Sequence, residues 1–209
     1  MKKSILLTAV AAFLITGCGG GFDGFKDSAN NSASDNQNAS GNNQDGITPD
    51  PYDAPSISDS TKKEYLDAIN NARATARDCG DKHFNATAAL KWSNDLYNAA
   101  YEHSNDMAAQ DYIGHDGSGE STDKTGIALN KHSKFYERIK HNDYSYKSVG
   151  ENVAAGQPTT EDVVKSWLDS PGHCENIMDP NFTEIGMAHV EKSGTTYTHY
   201  WTQDFGKPQ

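Results

Sequence analysis

The sequence predicts an α+β domain with an antiparallel sheet, preceded by an export signal and a polar tether. Three observations lead there. Apolar residues recur at helical intervals in four stretches between residues 61 and 167, the pattern turns strand-like after residue 185, and the polar run from Ser28 to Gly46 has nothing large enough to join a core.

The first seventeen residues read as a signal peptide. Met1-Lys2-Lys3 is a positive start, Ile5 to Ile15 is apolar apart from Thr8, and Thr16-Gly17-Cys18 is a small-residue exit. Such a core is too short to span a bilayer stably. The exit is not Ala-x-Ala-like. It resembles the bacterial lipobox, which implies that residues 1–17 are removed and that Cys18 becomes a lipid-bearing N-terminus. Two or three acyl chains anchor stably, because each buried CH₂ contributes about 0.8 kcal/mol. The domain is then expected in the cell envelope, on the far side of the membrane. Gly19 stands where Asp would mean inner-membrane retention in Gram-negative sorting, so in such a cell the outer membrane is expected.

Residues 18–57 read as a tether. Ser28 to Gly46 is almost wholly Asn, Ser, Ala, Asp, Gln and Gly, and cannot bury enough surface to offset chain entropy. Pro49, Pro51 and Pro55 stiffen the approach to the domain. The chain carries a net charge of −11; Lys2 and Lys3 lie in the signal, and the tether sets six Asp against Lys26. The remaining domain is therefore about −8, which argues against nucleic acid or anionic lipid as its main partner.

Residues 58–209 make one domain of ordinary size. Thr61 and Glu64 have capping-box spacing, and Tyr65, Leu66, Ile69 and Ala72 follow at helical intervals, predicting a helix from about Thr61 to Arg77. Ser93 caps a second, which runs to about Gln110 with Leu96, Ala99, Ala100, His103, Met107 and Ala108 on one stripe. Ser133 to Lys140 predicts a shorter helix, and Thr160 opens a fourth with Val163, Val164 and Trp167 inward. Ile185–Glu191 and Thr195–Phe205 are rich in β-branched and aromatic residues and form a hairpin about Lys192-Ser193-Gly194. The polar run from Ser118 to Ser133 reads as a mobile loop placed to act as a lid.

Cys79 and Cys174 are the domain's two cysteines. Outside the cytoplasm such a pair forms a disulfide or remains as two buried thiols, and the first is the expectation.

Three short signatures combine acids, imidazoles and turn residues: Tyr112-Ile113-Gly114-His115-Asp116-Gly117, Val149-Gly150-Glu151-Asn152-Val153, and Trp167-Leu168-Asp169-Ser170-Pro171-Gly172-His173-Cys174. In the last, Pro and Gly suggest a turn that presents the imidazole. With Leu66 to Arg73, Leu90-Lys91-Trp92, His103-Ser104 and Tyr200-Trp201-Thr202-Gln203-Asp204-Phe205, their order and spacing resemble a bacterial SCP-like extracellular domain of the CAP superfamily. That superfamily is named for cysteine-rich secretory proteins, antigen 5 and pathogenesis-related 1 proteins. The resemblance covers nearly the whole domain. It implies an α-β-α sandwich, with a small antiparallel sheet between helical layers and a cleft lined by two histidines and two acids.

Carried over by position, the first histidine is His115, the first acid Glu151 and the second histidine His173. Ser170 stands where the second acid is expected, and Asp169 beside it points elsewhere on a helix. Asn152, Ser170 and Gln203 are expected just behind the cleft, and a Cys79–Cys174 bond would steady the segment that carries His173. Two histidines and a carboxylate are the ligand set of a catalytic zinc site with a fourth position for water. A divalent metal such as zinc is therefore one candidate cofactor, and simple hydrogen bonding of the imidazoles by Glu151 is the other reading. No His-Glu-x-x-His run occurs, which excludes a standard zincin, and Ser118 lacks the first glycine of a nucleophile elbow.

Family members have been tied to lipid binding, defence, adhesion and occasionally proteolysis, so the resemblance carries no single reaction. Binding of a small ligand, lipid or surface partner in the cleft is the first expectation. Metal-assisted hydrolysis of a peptide or cell-wall substrate in the same cleft is the second. The anchor itself is open to test. Cells grown on labelled palmitate should label this chain, and Cys18→Ser should abolish the label; no label in the unmutated chain would remove the anchor from the account.

Overall fold

The computed structural model describes residues 52–209. The signal peptide, Cys18 and the tether as far as residue 51 lie outside the described residues. Among the described residues no helix is long and apolar enough to cross a membrane.

The first helix, α1 (Asp59–Arg73), starts at Ser58, whose hydroxyl accepts from Thr61 N. It begins and ends earlier than the sequence suggested. Arg73, fully buried at its end, donates through Nη1 to Ile177 O and Asp179 O and through Nε to Ala88 O. These carbonyls belong to distant turns, so one guanidinium closes the end of the helix onto the rest of the domain. The chain then forms a short hairpin, β1 (Arg77–Cys79) with β2 (Lys82–Phe84), where the sequence suggested more helix.

A two-residue strand, β3 (Lys91–Trp92), leads into α2 (Asn94–Gln110), capped by Ser93 as expected. α2 ends at Asp111, which takes the left-handed conformation at φ 53°. Its carboxylate accepts from Thr196 N and Oγ1 and from Tyr200 Oη, so the helix end is fastened to the last hairpin. Then come α3 (Lys124–Leu129), α4 (Phe135–His141), β4 (Tyr146–Ala155), α5 (Thr160–Asp169), α6 (Pro171–Met178), β5 (Glu184–Glu191) and β6 (His199–Pro208).

Four strands form the central sheet in the order β3-β5-β6-β4. β4, β6 and β5 are antiparallel neighbours, and β3 adds two residues in parallel beside β5. On one face lie α2 and α4. α2 comes so close that a Cβ on Gly186 would stand 2.1 Å from Tyr97 N, so only glycine fits there. On the other face α1, α5 and α6 pack around Ile69, Val163, Trp167, Ile177, Met187 and Trp201, all at most 2% exposed. The α-β-α sandwich implied by the resemblance is the observed fold, and β4 is left as an edge strand.

Two expectations need correction. The Ser118–Ser133 run is not a loose lid. It contains α3, and three buried acids hold it: Asp106 accepts from Ser118 N and Oγ and from Thr122 Oγ1, Asp123 from Gly119 N, Gly126 N and Ser133 N, and Glu102 from Thr125 N and Oγ1. Polar composition suggested mobility, but polar side chains can serve as anchors when buried carboxylates meet their donors. Secondly, the Pro171-Gly172-His173 segment is the first turn of a helix, with Pro171 at the position where a missing N–H does no harm.

Cys79 and Cys174 are bonded, tying the first hairpin to α6. The bridge spans 95 residues of sequence. Cross-linking so long a loop should stabilise the domain by about 4 kcal/mol through the unfolded chain. A Cys79→Ala, Cys174→Ala double variant should therefore lose stability of that order in urea unfolding.

Candidate functional site

Glu151 and Asn152 are neighbours on edge strand β4, so their side chains leave on opposite faces of the sheet. Glu151 turns towards α2 and α4. Its side chain is 1% exposed, and both its oxygens are occupied. Oε2 accepts from Arg138 Nη2 at 2.7 Å, and Oε1 lies 2.8 Å from His115 Nδ1. A carboxylate only accepts, so the His115 ring donates through Nδ1 and leaves Nε2 for the cleft. The His115 side chain is 52% exposed.

Arg138 holds the other end of this arrangement. From α4 its Nη2 also donates to the carbonyl of His115, and Nη1 to Ser133 O and Oγ. One buried guanidinium thus fixes the acid, the loop that carries the histidine and the end of the α3 segment. Sequence reading missed Arg138. The only signal available was its spacing, with Phe135 and Ile139 on the inward face of α4.

Asn152 turns to the opposite face. Its Nδ2 donates to the carbonyl of His173 and to Gln203 Oε1, and its Oδ1 accepts from Asn176. Asn152 thus links the main chain at His173 to the side chain of Gln203. Ser170 is the junction of α5 and α6; its carbonyl accepts from Cys174 N, and its side chain caps neither helix. Asp169 pairs with Lys165 at the exposed surface, away from the cleft. His173, half-buried in the first turn of α6, comes from one helical layer and His115 from the other. The two imidazoles lie near enough for the charge of one to be felt by the other.

Their electrostatic settings differ. The hydrogen bond to Glu151 raises the His115 pKa against a smaller desolvating effect of burial. Desolvation lowers that of His173, and the charge of His115 lowers it further. Burial works to raise the Glu151 pKa, but Arg138 and then the histidines outweigh it and hold the acid well below the usual carboxylate range. Behind it Asp204, opposite Glu151 in the β4–β6 register, is buried with no partner for either oxygen among the described residues. Desolvation and the neighbouring Glu151 push its pKa well above the ordinary value, so it keeps its proton to higher pH. His103, fully buried, has Nε2 2.7 Å from Gly114 O and is pushed down to about 4 by burial. It is the hydrogen-bonded core residue its stripe suggested.

The zinc ligand set suggested for His115, Glu151 and His173 is not assembled here. Both Glu151 oxygens are taken by Arg138 and His115, and the His115 nitrogen that faces the acid is its donor. Among the described residues no group of three His, Cys, Asp or Glu side chains is arranged to hold a metal. Ser118 is also occupied, donating to Asp106.

Comparison with known proteins agrees with this architecture. The sequence model of the family described as "CAP: Cysteine-rich secretory protein family" matches residues 66–205. The protein YkwD of Bacillus subtilis is 50% identical over 70 residues, which cover 34% of this chain and 25% of YkwD. The membrane protein YlbC of the same organism is 25% identical over 151 residues, 72% of this chain and 36% of YlbC. The matches thus span about a quarter to a third of these two relatives. Among solved structures, an extracellular protein containing an SCP domain from Bacillus anthracis superposes with a TM-score of 0.53 at 22% identity, covering 74% of this chain and 45% of that one. An outer surface protein of Borrelia burgdorferi does so with a TM-score of 0.55 at 19% identity, covering 74% and 97%. These two share the fold.

The opposed imidazole shifts can be read directly. In a proton NMR titration of the histidine rings, His115 should titrate above the ordinary His value and His173 below it. Glu151→Gln should bring His115 back down, and an unmoved His115 would remove the acid from its role.

Proposed function

We propose that this chain, which belongs to the CAP family of cysteine-rich secretory proteins, is a binding domain held at the cell envelope by a lipid on Cys18. Its recognition site is the cleft of His115, Glu151 and His173. The observation that carries this reading is the use of Glu151. Its carboxylate is spent on Arg138 and His115, inside the protein, so it serves as the support of an imidazole. A general base or a ligand to a hydrolytic metal would need an oxygen facing substrate, and both oxygens are buried against Arg138 and His115. Binding is therefore favoured over metal-assisted hydrolysis.

The chemistry of the cleft points to one class of ligand. His115 is the more basic imidazole and presents Nε2–H, a charge-assisted donor when protonated. His173 beside it is the less basic ring and can accept as well as donate. A ligand with a carboxylate or phosphate oxygen next to a hydroxyl or amide would satisfy both. Localisation outside the cytoplasm is supported by the disulfide and by the kind of protein that shares the fold: an extracellular and an outer-surface protein.

The test uses the full chain and its His115→Asn and His173→Asn variants, against cell-wall fragments, lipid vesicles and acidic peptides. Retention of one of these by the unmutated chain, and its loss in both variants at unchanged thermal stability, is expected. Since the charge on His115 is present below its pKa and lost above it, retention of an anionic probe should weaken as pH rises through that value. Stoichiometric zinc after dialysis, lost together with hydrolysis of a peptide or cell-wall library in the two variants, would replace this reading with the hydrolase.

A further inference from the structure

A second histidine pair lies outside the cleft, near the turn between β5 and β6. His189 on β5 and His199 on β6 approach closely, with Nε2 of His189 3.0 Å from Nδ1 of His199 and ring planes 20° apart. Both rings are half-buried. His189 stands opposite Trp201 in the register and stacks on its indole, with centroids 3.9 Å apart and planes within 11°. The indole is itself fixed by Nε1 donating to Gln157 O. Glu191 stands opposite His199, and directly opposed residues of an antiparallel pair share a face. Two imidazoles and a carboxylate are thus gathered on one face at the end of a hairpin. None of them is used by the fold's helices or by the cleft.

We propose that His189 and His199 form a binding site for a divalent transition-metal ion, copper(II) foremost, with Glu191 and water completing the coordination. The spacing carries the proposal. Nitrogens bound at about 2.0–2.1 Å and at right angles to one another are about 2.9 Å apart, close to the observed separation. Imidazole nitrogens suit copper, nickel and zinc, and copper(II) binds such sites most tightly of the three. In the metal-free pair one nitrogen carries the proton that the other accepts. On binding, that proton moves to the far nitrogen of the same ring, so both rings bind as neutral imidazoles and no proton is lost. His199 makes the adjustment, because the indole stacks on His189 and not on it, and histidine χ2 is broad. Among the described residues no third His, Cys, Asp or Glu already stands with the two rings, so Glu191 has to swing in on binding.

The site is distinct from the cleft. His199 and Asp204, which pairs with Glu151, are five residues apart on β6 and so about 16 Å apart along the strand.

Trp201 provides the readout, because a paramagnetic ion held by a ring stacked on an indole quenches its fluorescence. Titration of the full chain with Cu²⁺ should quench tryptophan emission to an end point at one equivalent, with nitrogen hyperfine structure in the electron paramagnetic resonance spectrum. His189→Asn and His199→Gln should each lose both signals at equimolar copper. Trp201→Phe should keep the resonance signal and lose most of the quench. His115→Asn and His173→Asn should change neither, which separates this site from the cleft. Each variant is checked by its thermal melt, and if His189→Asn unfolds, His199→Gln alone decides. No quench in the unmutated chain, copper signals that survive in His199→Gln, or signals that vanish in His115→Asn would each overturn the proposal.

Discussion

A guanidinium and a carboxylate face each other 2.7 Å apart, both about 1% exposed, where the edge of the sheet meets the short helix α4. Taking two charges out of water is expensive, and the attraction between them offsets that only when the remaining donors and acceptors are met as well. Here most are. Arg138 serves the carbonyls of His115 and Ser133, and Glu151 takes His115 on its second oxygen. Removing one partner of such a pair leaves an uncompensated buried charge, at a cost of about 3–5 kcal/mol. The position of the cleft histidine thus follows from a stability constraint: the residue that orients His115 cannot be lost without unsettling α4, β4 and the loop after α2 together.

The same logic extends outward from the pair. The segment between His115 and α4 has few apolar side chains to bury, and Ile127 and Leu129 are exposed. It is held by the buried acids Asp106, Asp123 and Glu102, which accept its backbone and hydroxyl donors. On the opposite layer α6 is held by the disulfide and by the amides of Asn152 and Asn176. Asn176 reaches back to the carbonyl of Glu151, so the two supports meet on one strand. Neither histidine sits on a freely moving element. Both imidazoles are thus carried by segments whose main chain is held by hydrogen bonds or by the disulfide.

Much of this was legible in the sequence. Ser93 marked the start of α2 because a cap is local chemistry. By contrast, α5 is capped one residue before Thr160, by Thr159, and the chain between β5 and β6 runs on to Thr198 instead of turning within Lys192-Ser193-Gly194. What escaped depends on partners distant in the chain. The strand that carries Glu151 has a Gly150-Glu151-Asn152 centre that breaks the usual alternation, and it is a strand only because β6 pairs with it. α6 escaped because Pro171-Gly172 is turn chemistry by itself and becomes a helix start once Cys174 and Ile177 are buried. Arg138 and Asp204 were invisible for a plainer reason. A charged residue in a sequence reads as surface, and only the fold reveals that it is buried.

Asp204 shows why the ion pair also governs the chemistry of the cleft. Three carboxylates, Glu102, Glu151 and Asp204, act on one guanidinium. They do not ionise alike. Glu151 has the direct contact with Arg138 and keeps its charge, while Asp204, without a partner among the described residues and beside that charge, is driven towards its neutral form. With the negative charge placed on one acid, it is transmitted to one imidazole, His115, through a hydrogen bond. Among the described residues His173 has no carboxylate partner and meets only desolvation and the charge of its neighbour. The cleft therefore presents a more basic ring beside a less basic one: Glu151, kept charged by Arg138, raises the first, and burial lowers the second. Two chemically identical side chains thereby differ in their affinity for a proton.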